Sequence, residues 1–368
     1  MVSKHNDIKI DYIIPTYYDS DIVKVGLDAL CRQTMKECLK VIVVNDCSPH
    51  TDCNYRDLID EYKDKLDIII VKTPNNCGPG MAMQYGVDTG TSKYYLIQDD
   101  DDCIASDDVI ESYVRIIENN LDVDNIATIM GDSALCNKDY SILRRFEEKT
   151  IVHGRLFFRD FMEKYNIRYV DEVSWWMDDY YINILILLIM NEHENKYKDL
   201  YLDKLCYLYR PGLEGSVTKK MTNYEIIFRD IVLDVEVRKF MDKRYGIDKD
   251  ISIYKCINKK LFDIMFELIR MQYKNDIIRK REWEILTEYR EYLISIIGDT
   301  SECRYITDGN KFNNYRCYAL KHSDTKEYSE FNIDLDILED MYYTYLSSEK
   351  TMFNCSYSEL TEMLKGKQ

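Results

Sequence analysis

The chain has 368 residues, 46% of them hydrophobic, and a formal net charge of −17. That hydrophobic share excludes a disordered chain and suits one large domain or two ordinary ones. The acidic surface argues against binding to the nucleic-acid backbone or to anionic membranes, because basic residues form only short solvated clusters at Arg144-Arg145, Lys219-Lys220 and Arg279-Lys280-Arg281.

The first hundred residues alternate strands and helices. Ile8 to Pro15 reads as a strand. Asp21 to Arg32 places Val23, Leu27, Leu30 and Cys31 at helical spacing behind an N-cap at Ser20. Leu39 to Val44 is apolar apart from Lys40, as in a strand buried on both faces. Asp52 to Lys65 reads as a helix, Ile68 to Val71 as a strand, Gly80 to Thr89 as a helix and Tyr94 to Ile97 as a strand. This order predicts a parallel sheet with helices on both faces, binding its ligand beyond the C-terminal strand ends.

Residues 104 to 220 are mixed in pattern. The apolar run Ile184 to Met190 is too short for a membrane span and reads as a buried helix. Past Lys219 the pattern turns helical. Thr222 and Glu225 form a capping box, Ile257, Leu261, Ile264, Met265 and Leu268 repeat at helical spacing, and so do Trp283, Leu286, Tyr289 and Leu293, before a stop at Gly298. A boundary is therefore expected near residue 220. The N-terminus lacks the apolar stretch of a signal peptide, and the twelve cysteines include no C-x-x-C pair. A cytoplasmic protein with reduced thiols is expected.

Polar clusters close three of the strands: Pro15-Thr16-Tyr17, Asn45-Asp46-Cys47-Ser48 and Asp99-Asp100-Asp101-Asp102. Four consecutive carboxylates repel one another, and a hard divalent cation such as Mn²⁺ or Mg²⁺ relieves that repulsion while also binding diphosphate oxygens. The stretch Asn76-Cys77-Gly78-Pro79-Gly80 precedes a helix, where glycines can admit a phosphate, although by itself it reads as a plain loop. It is neither G-x-G-x-x-G nor a Walker loop, so dinucleotide and ATP readings lose support.

These residues together resemble the family 2 glycosyltransferases, which have the GT-A fold. Ile13-Ile14-Pro15-Thr16-Tyr17 looks like the family's opening strand. Gln33-Thr34 through Val41-Ile42-Val43-Val44-Asn45-Asp46-Cys47-Ser48 is similar to its "Q-T … I-I-V-D-D-G-S" block. Asn76-Cys77-Gly78 with Ala82 and Gly86 looks like "N-x-G-x-x-x-A-R-N-x-G", and Tyr94 to Asp102 like the strand leading into "D-x-D-D". More loosely, Thr150-Ile151-Val152-His153-Gly154-Arg155 with Phe161, Lys164 and Ile167-Arg168-Tyr169 resembles an H-G-K segment of one branch. Met177-Asp178-Asp179-Tyr180-Tyr181 resembles its "E-D" base segment, and Tyr209-Arg210 with Ser216-Val217-Thr218 its closing "Y-R … S-I-T". The chain departs from the family at Asn45, Cys47, Met83 and Gln84, which bears on base and phosphate recognition.

The resemblance implies an α/β GT-A domain over 1–220, with a Rossmann-like, mostly parallel sheet and flanking helices. A mainly helical C-terminal domain, 221–368, is expected to serve acceptor binding or homo-oligomerisation. The implied activity is metal-dependent, inverting transfer of a sugar from a nucleotide sugar, foremost a UDP-sugar, to an acceptor hydroxyl. By resemblance Asp46 faces the nucleotide base, Thr16 the nucleoside, Asp99 the ribose and Asp102 the donor sugar. Pro15, Tyr17, Asn76, Gly78, Asp100, His153 and Arg155 complete the donor site, Asp101 and Asp99 hold the metal, and Asp179 is the general base. Asp178, Trp175 and Trp176 are assigned to the acceptor, the tryptophans as a stacking surface for a sugar ring. The acceptor stays open among a glycan, a lipid-linked sugar, a protein and a modified DNA base. Two other readings remain. A nucleotidyltransferase needs a basic glycine-rich loop after the first strand, where this chain has Tyr17-Tyr18-Asp19. A nucleotide-sugar-binding module without transferase activity needs only the pocket.

Overall fold

The computed structural model describes residues 8–210, except 18–19, 50–51, 121–124, 138, 147–151, 175–177 and 194–195, together with scattered residues between 232 and 243. For residues 20–21, 52–54, 146, 172, 178–180 and 191–192 it describes the backbone alone. The chain divides into two compact units, Met1–Lys219 and Lys220–Gln368. The helical patterns read at Thr222, Ile257 and Trp283 lie outside the described residues.

The first unit opens with β1 (Ile10–Thr16), α1 (Ser20–Cys31), β2 (Leu39–Asn45), α2 (Asp52–Tyr62), β3 (Ile68–Lys72), α3 (Pro79–Thr89) and β4 (Tyr94–Ile97). These are the alternating elements expected from the sequence, with ends shifted by up to three residues. Strands β3, β2, β1 and β4 lie side by side in that order and are parallel. The period-two alternation of β1 assigns its faces. Ile10, Tyr12 and Ile14 join a core with Val23, Leu27 and Leu30 of α1, Leu58 and Tyr62 of α2, and Val41 and Val43 of β2. Ile13 and Val44 face the opposite way, toward α3. There Gly86 brings the helix so close that a Cβ would stand 2.4 Å from Ile13 Cγ2. Asp11, wholly buried in β1, accepts hydrogen bonds from the Ser92 N–H and hydroxyl and pairs with Arg159 Nη2 at 3.0 Å.

Beyond β4 the sheet becomes mixed. The elements are β5 (Cys103–Ile104), α4 (Val109–Asn119), β6 (Ile126–Cys136), β7 (Ile142–Phe146), β8 (Arg155–Phe158), α5 (Arg159–Lys164), α6 (Asp178–Glu192) and β9 (Lys198–Tyr209). The full order is β3-β2-β1-β4-β8-β6-β9-β5, with β7 on β6. Strand β8 is antiparallel to both β4 and β6, β9 runs parallel to β6, and β5 is antiparallel to β9. Because β5 pairs Cys103 with Leu208 and Ile104 with Tyr207, the end of β9 comes alongside the four aspartates. The apolar run Ile184 to Met190 is helical, as expected. Leu185, Ile186 and Ile189 are buried, whereas Leu187 is 54% exposed, so the burial is one-sided. No described helix is long and apolar enough to cross a membrane.

Candidate functional site: an acidic turn and a stapled loop

The register sets the ends of β1 and β2 level, with Thr16 opposite Asn45. Ile13 pairs with Ile97 at the end of β4, and the Gln98 N–H then donates to Ile13 O at 3.0 Å. The chain turns immediately afterwards through Asp99–Asp102, delivering four carboxylates beside the ends of β1 and β2. Asp99, Asp101 and Asp102 each bring one carboxylate oxygen within 4.8 Å of the others. Desolvation, reinforced by Asp99 and Asp101, pushes the Asp102 carboxyl up to about 8. Desolvation, with the charges of Asp101 and Asp102 adding to it, also raises Asp100 to about 7, and desolvation raises Asp101, against the charge of Arg210. Asp99, Asp101 and Asp102, the last two desolvated, thus form an oxygen donor set suited to Mn²⁺ or Mg²⁺, because a divalent cation offsets the cost of ionising them. These residues therefore fit the metal that the sequence implies.

The turn is gripped from β9. Tyr207 Oη donates to Asp102 Oδ2 at 2.6 Å and accepts the Asp99 N–H at 3.2 Å. Arg210 donates its backbone N–H to Asp102 Oδ1 at 2.8 Å and its Nε to Asp101 O at 2.9 Å. His153, 8% exposed, lies with Nε2 3.3 Å from Asp99 Oδ2, and its ring stacks on Tyr207 at 4.9 Å. Burial, followed by the charges of Asp102 and Asp99, drives the Tyr207 phenol well above its usual range, which keeps it a donor.

The second part of the site is the loop after β3. Asp46 is 4% exposed, and its carboxylate accepts the Thr73 hydroxyl at 2.8 Å, the Cys77 N–H at 3.0 Å and the Gly78 N–H at 2.9 Å. The Cys77 thiol also donates to it; burial and that bond push the thiol up to about 12, so it stays protonated. Asn76 Oδ1 accepts the Gly78 N–H at 3.3 Å. Gly78 precedes α3 at φ 85°, a conformation that favours glycine. The next amides of α3 are taken by Ser174: Gly80 N–H donates to its carbonyl at 3.0 Å and Met81 N–H to its hydroxyl at 2.7 Å, while that hydroxyl donates to Cys77 O at 3.0 Å. The glycines thus permit a self-capped helix start, and the amides of Cys77, Gly78, Gly80 and Met81 already have acceptors inside the protein.

The expected donor residues separate into groups. Thr16, Asp46, Asn76, Gly78 and the four aspartates gather beyond the ends of β1 to β4, with His153 beside Asp99. Pro15 lies within β1, opposite Val44. Tyr17 accepts the Ser48 hydroxyl at its carbonyl, which fastens the β1 end to the β2 end. Arg155 is set apart: it is 2% exposed, pairs with Asp199 Oδ2 at 2.8 Å, and donates to Thr128 Oγ1 at 2.8 Å. That arrangement braces β8, β6 and β9. Asp178 and Asp179 open α6, with backbone alone described, and Trp175 and Trp176 lie outside the described residues. Sequence reasoning missed Tyr207 and Ser174. Tyr207 stands two residues before the Tyr209-Arg210 pair, the nearest available signal.

A curled mixed sheet with helices on both faces and an acidic turn at the end of its fourth strand is a GT-A architecture, the class of nucleotide-sugar glycosyltransferases. Residues 11–183 match the model of glycosyl transferase family 2, and over this region the chain is similar to that family. A poly(ribitol-phosphate) beta-glucosyltransferase from Bacillus spizizenii is 34% identical over 119 residues, covering 32% of this chain and 18% of that protein. Glycosyltransferase GlyA from Streptococcus pneumoniae is 24% identical over 269 residues, covering 68% of this chain and 37% of that one. The chain thus spans well under half the length of either curated relative. Among solved structures, S. aureus TarS 1-349 in complex with UDP-GlcNAc aligns with a TM-score of 0.49 and 16% identity, over 70% of this chain and 81% of that one.

Proposed function

We propose that the protein transfers a sugar from a nucleotide sugar, foremost a UDP-sugar, to an acceptor hydroxyl with inversion at the anomeric carbon. The observation that carries this reading is the convergence of Asp99, Asp101 and Asp102 within 4.8 Å, inside the region matched by the family model. In the reaction the acceptor oxygen bonds to the anomeric carbon as the bond from that carbon to the diphosphate oxygen breaks, and the bonding pair leaves with the diphosphate. Asp179 takes the acceptor proton. Asp99 and Asp101 would hold a divalent ion, which would supply Lewis-acid neutralisation of the charge on the leaving diphosphate. Thr16 and the loop stapled by Asp46 bound the nucleoside, and Asp100 and Asp102 the ribose and sugar side. Trp175, Trp176 and Asp178 take the acceptor.

The Bacillus relative is named a beta-glucosyltransferase of poly(ribitol phosphate), which makes a glucosyl donor and a polyol-phosphate acceptor the first pair to test. The free thiols at the seven cysteines whose side chains are described support a reducing, cytoplasmic compartment. The second unit, residues 221–368, is assigned to acceptor binding or self-association. The test is a panel of sugar nucleotides incubated with Mn²⁺, with Mg²⁺ and with EDTA, scored for nucleoside diphosphate release with and without acceptor. Metal-dependent release from one donor supports the proposal. Release of pyrophosphate points to a nucleotidyltransferase, and donor binding without release to a binding module.

A further inference from the structure

We infer that Tyr207 is a positioning residue for the metal-binding turn, its hydroxyl holding Asp99 and Asp102 in the arrangement that receives a divalent cation. The inference rests on the metal reading above. Tyr207 is wholly buried and supplies one hydroxyl to two members of the carboxylate triad. It donates to Asp102 Oδ2 at 2.6 Å and accepts the Asp99 N–H at 3.2 Å. The hydroxyl therefore closes the turn from first aspartate to last, spanning Asp101 between them.

The ring does a separate job. It stacks on His153 at 4.9 Å with the planes 16° apart, and His153 Nε2 lies 3.3 Å from the carboxylate of the same Asp99. Arg210, three residues further on, occupies the remaining oxygen of Asp102. Asp102 thus enters the triad with both oxygens already engaged by the β9 end, which fixes its carboxylate before any cation arrives. Outer partners of this kind orient ligands, and their loss typically weakens metal affinity by about 10- to 100-fold. The strand supplies the grip because β5 and β9 pair Ile104 with Tyr207, only two residues beyond Asp102.

The experiment titrates Mn²⁺ into the full chain, free metal being read by electron paramagnetic resonance in the absence of donor and acceptor. Three variants accompany the wild type. Tyr207→Phe removes the hydroxyl and keeps the ring on His153, whereas Tyr207→Leu removes both. Tyr62→Phe deletes another hydroxyl, one on α2 that donates to Asp28 of α1 at 2.8 Å, and serves as the structural control. Tyr207→Phe is expected to raise the Mn²⁺ dissociation constant at least about tenfold. Tyr207→Leu should do the same with a further loss of thermal stability, and Tyr62→Phe should leave the constant within about twofold of wild type. Equal affinity in wild type and Tyr207→Phe overturns the positioning role while leaving the metal site standing. No Mn²⁺ binding by the wild type overturns both. A second measurement needs no deletion: 3-fluorotyrosine placed at position 207 should shift its fluorine resonance when Mg²⁺ is added, and an unmoved resonance overturns the inference.

Discussion

Asp46 accepts one hydroxyl, one thiol and two backbone amides from a loop 27 to 32 residues away in sequence. Hydrogen bonds to a charged group contribute about 1.5–3 kcal/mol each, and unpaired buried amides cost comparably. Asp46→Ala should therefore lower the urea-unfolding free energy by several kcal/mol and weaken nucleotide binding at the same time. A variant that loses UDP affinity in calorimetry yet unfolds like wild type would show that the carboxylate serves the ligand alone. Asp101→Ala should leave a folded protein that transfers at least about a hundredfold more slowly, given the several kcal/mol a Lewis-acid metal supplies; unchanged transfer would remove Asp101 from the site. Asp179→Asn keeps shape and removes basicity. It should abolish transfer while sparing donor affinity, and Asp178→Asn should cost much less. Exchanged outcomes would move the base by one residue.

At the scale of elements, the close seat of α3 on β1 and β2 is set by Gly86. A methyl there meets Ile13 Cγ2 at 2.4 Å and Val44 Cγ2 at 3.0 Å, so the helix must lift or the core must shift. Gly86→Ala should cost about 1–3 kcal/mol, the usual range for overpacking, read by denaturant unfolding. An unchanged midpoint would mean that the Ile13 side chain gives way freely. The same region shows why part of the fold was legible. Val41 to Val44 of β2 is buried on both faces, and such a stretch reads as an unbroken apolar run. By contrast β9, whose sequence is KDLYLDKLCYLY, mixes charges with apolar residues, and its pairing with β6 shifts register at three places. Bulges of that kind erase the two-residue period on which strand recognition depends. The acidic turn announced itself by composition. Tyr207 did not, being one of 32 tyrosines and tied to Asp102 only through tertiary pairing 105 residues apart. Arg155, read as a donor ligand, sits in a motif whose pattern does not reveal that its guanidinium turns to Asp199.

For the whole molecule, the raised carboxyls of the acidic turn make a signed statement about pH. In the unfolded chain these aspartates take the ordinary value near 3.9. Folded and metal-free, Asp100 stands at about 7 and Asp102 at about 8. Between those limits the native state binds more protons than the unfolded state, so stability falls as pH rises through that window. Urea unfolding in EDTA should give a lower free energy at pH 8.5 than at pH 5. Saturating Mn²⁺ should flatten or reverse the slope, adding about 2.7 kcal/mol at a hundred times its dissociation constant. A metal-free protein more stable at pH 8.5 would contradict the desolvated cluster. Ending the chain near Lys220 provides a separate test at this scale. If that protein folds, it should keep donor binding and lose transfer or self-association; normal transfer by a soluble truncated protein would leave the second unit with neither role.

Ser174 belongs to the segment that leads to α6, with three residues between it and Asp178, yet its carbonyl and hydroxyl hold the first amides of α3 and its proton goes to Cys77 O. The amides of Gly80 and Met81 can exchange with solvent deuterium only when that clasp opens. Their protection factors therefore report, in a single measurement, on the loop beside the proposed donor site and on the approach to the proposed base. A nucleotide that steadies the first must slow exchange across the second, and by thermodynamic reciprocity an acceptor that steadies the approach to the base must tighten the grip on the nucleotide.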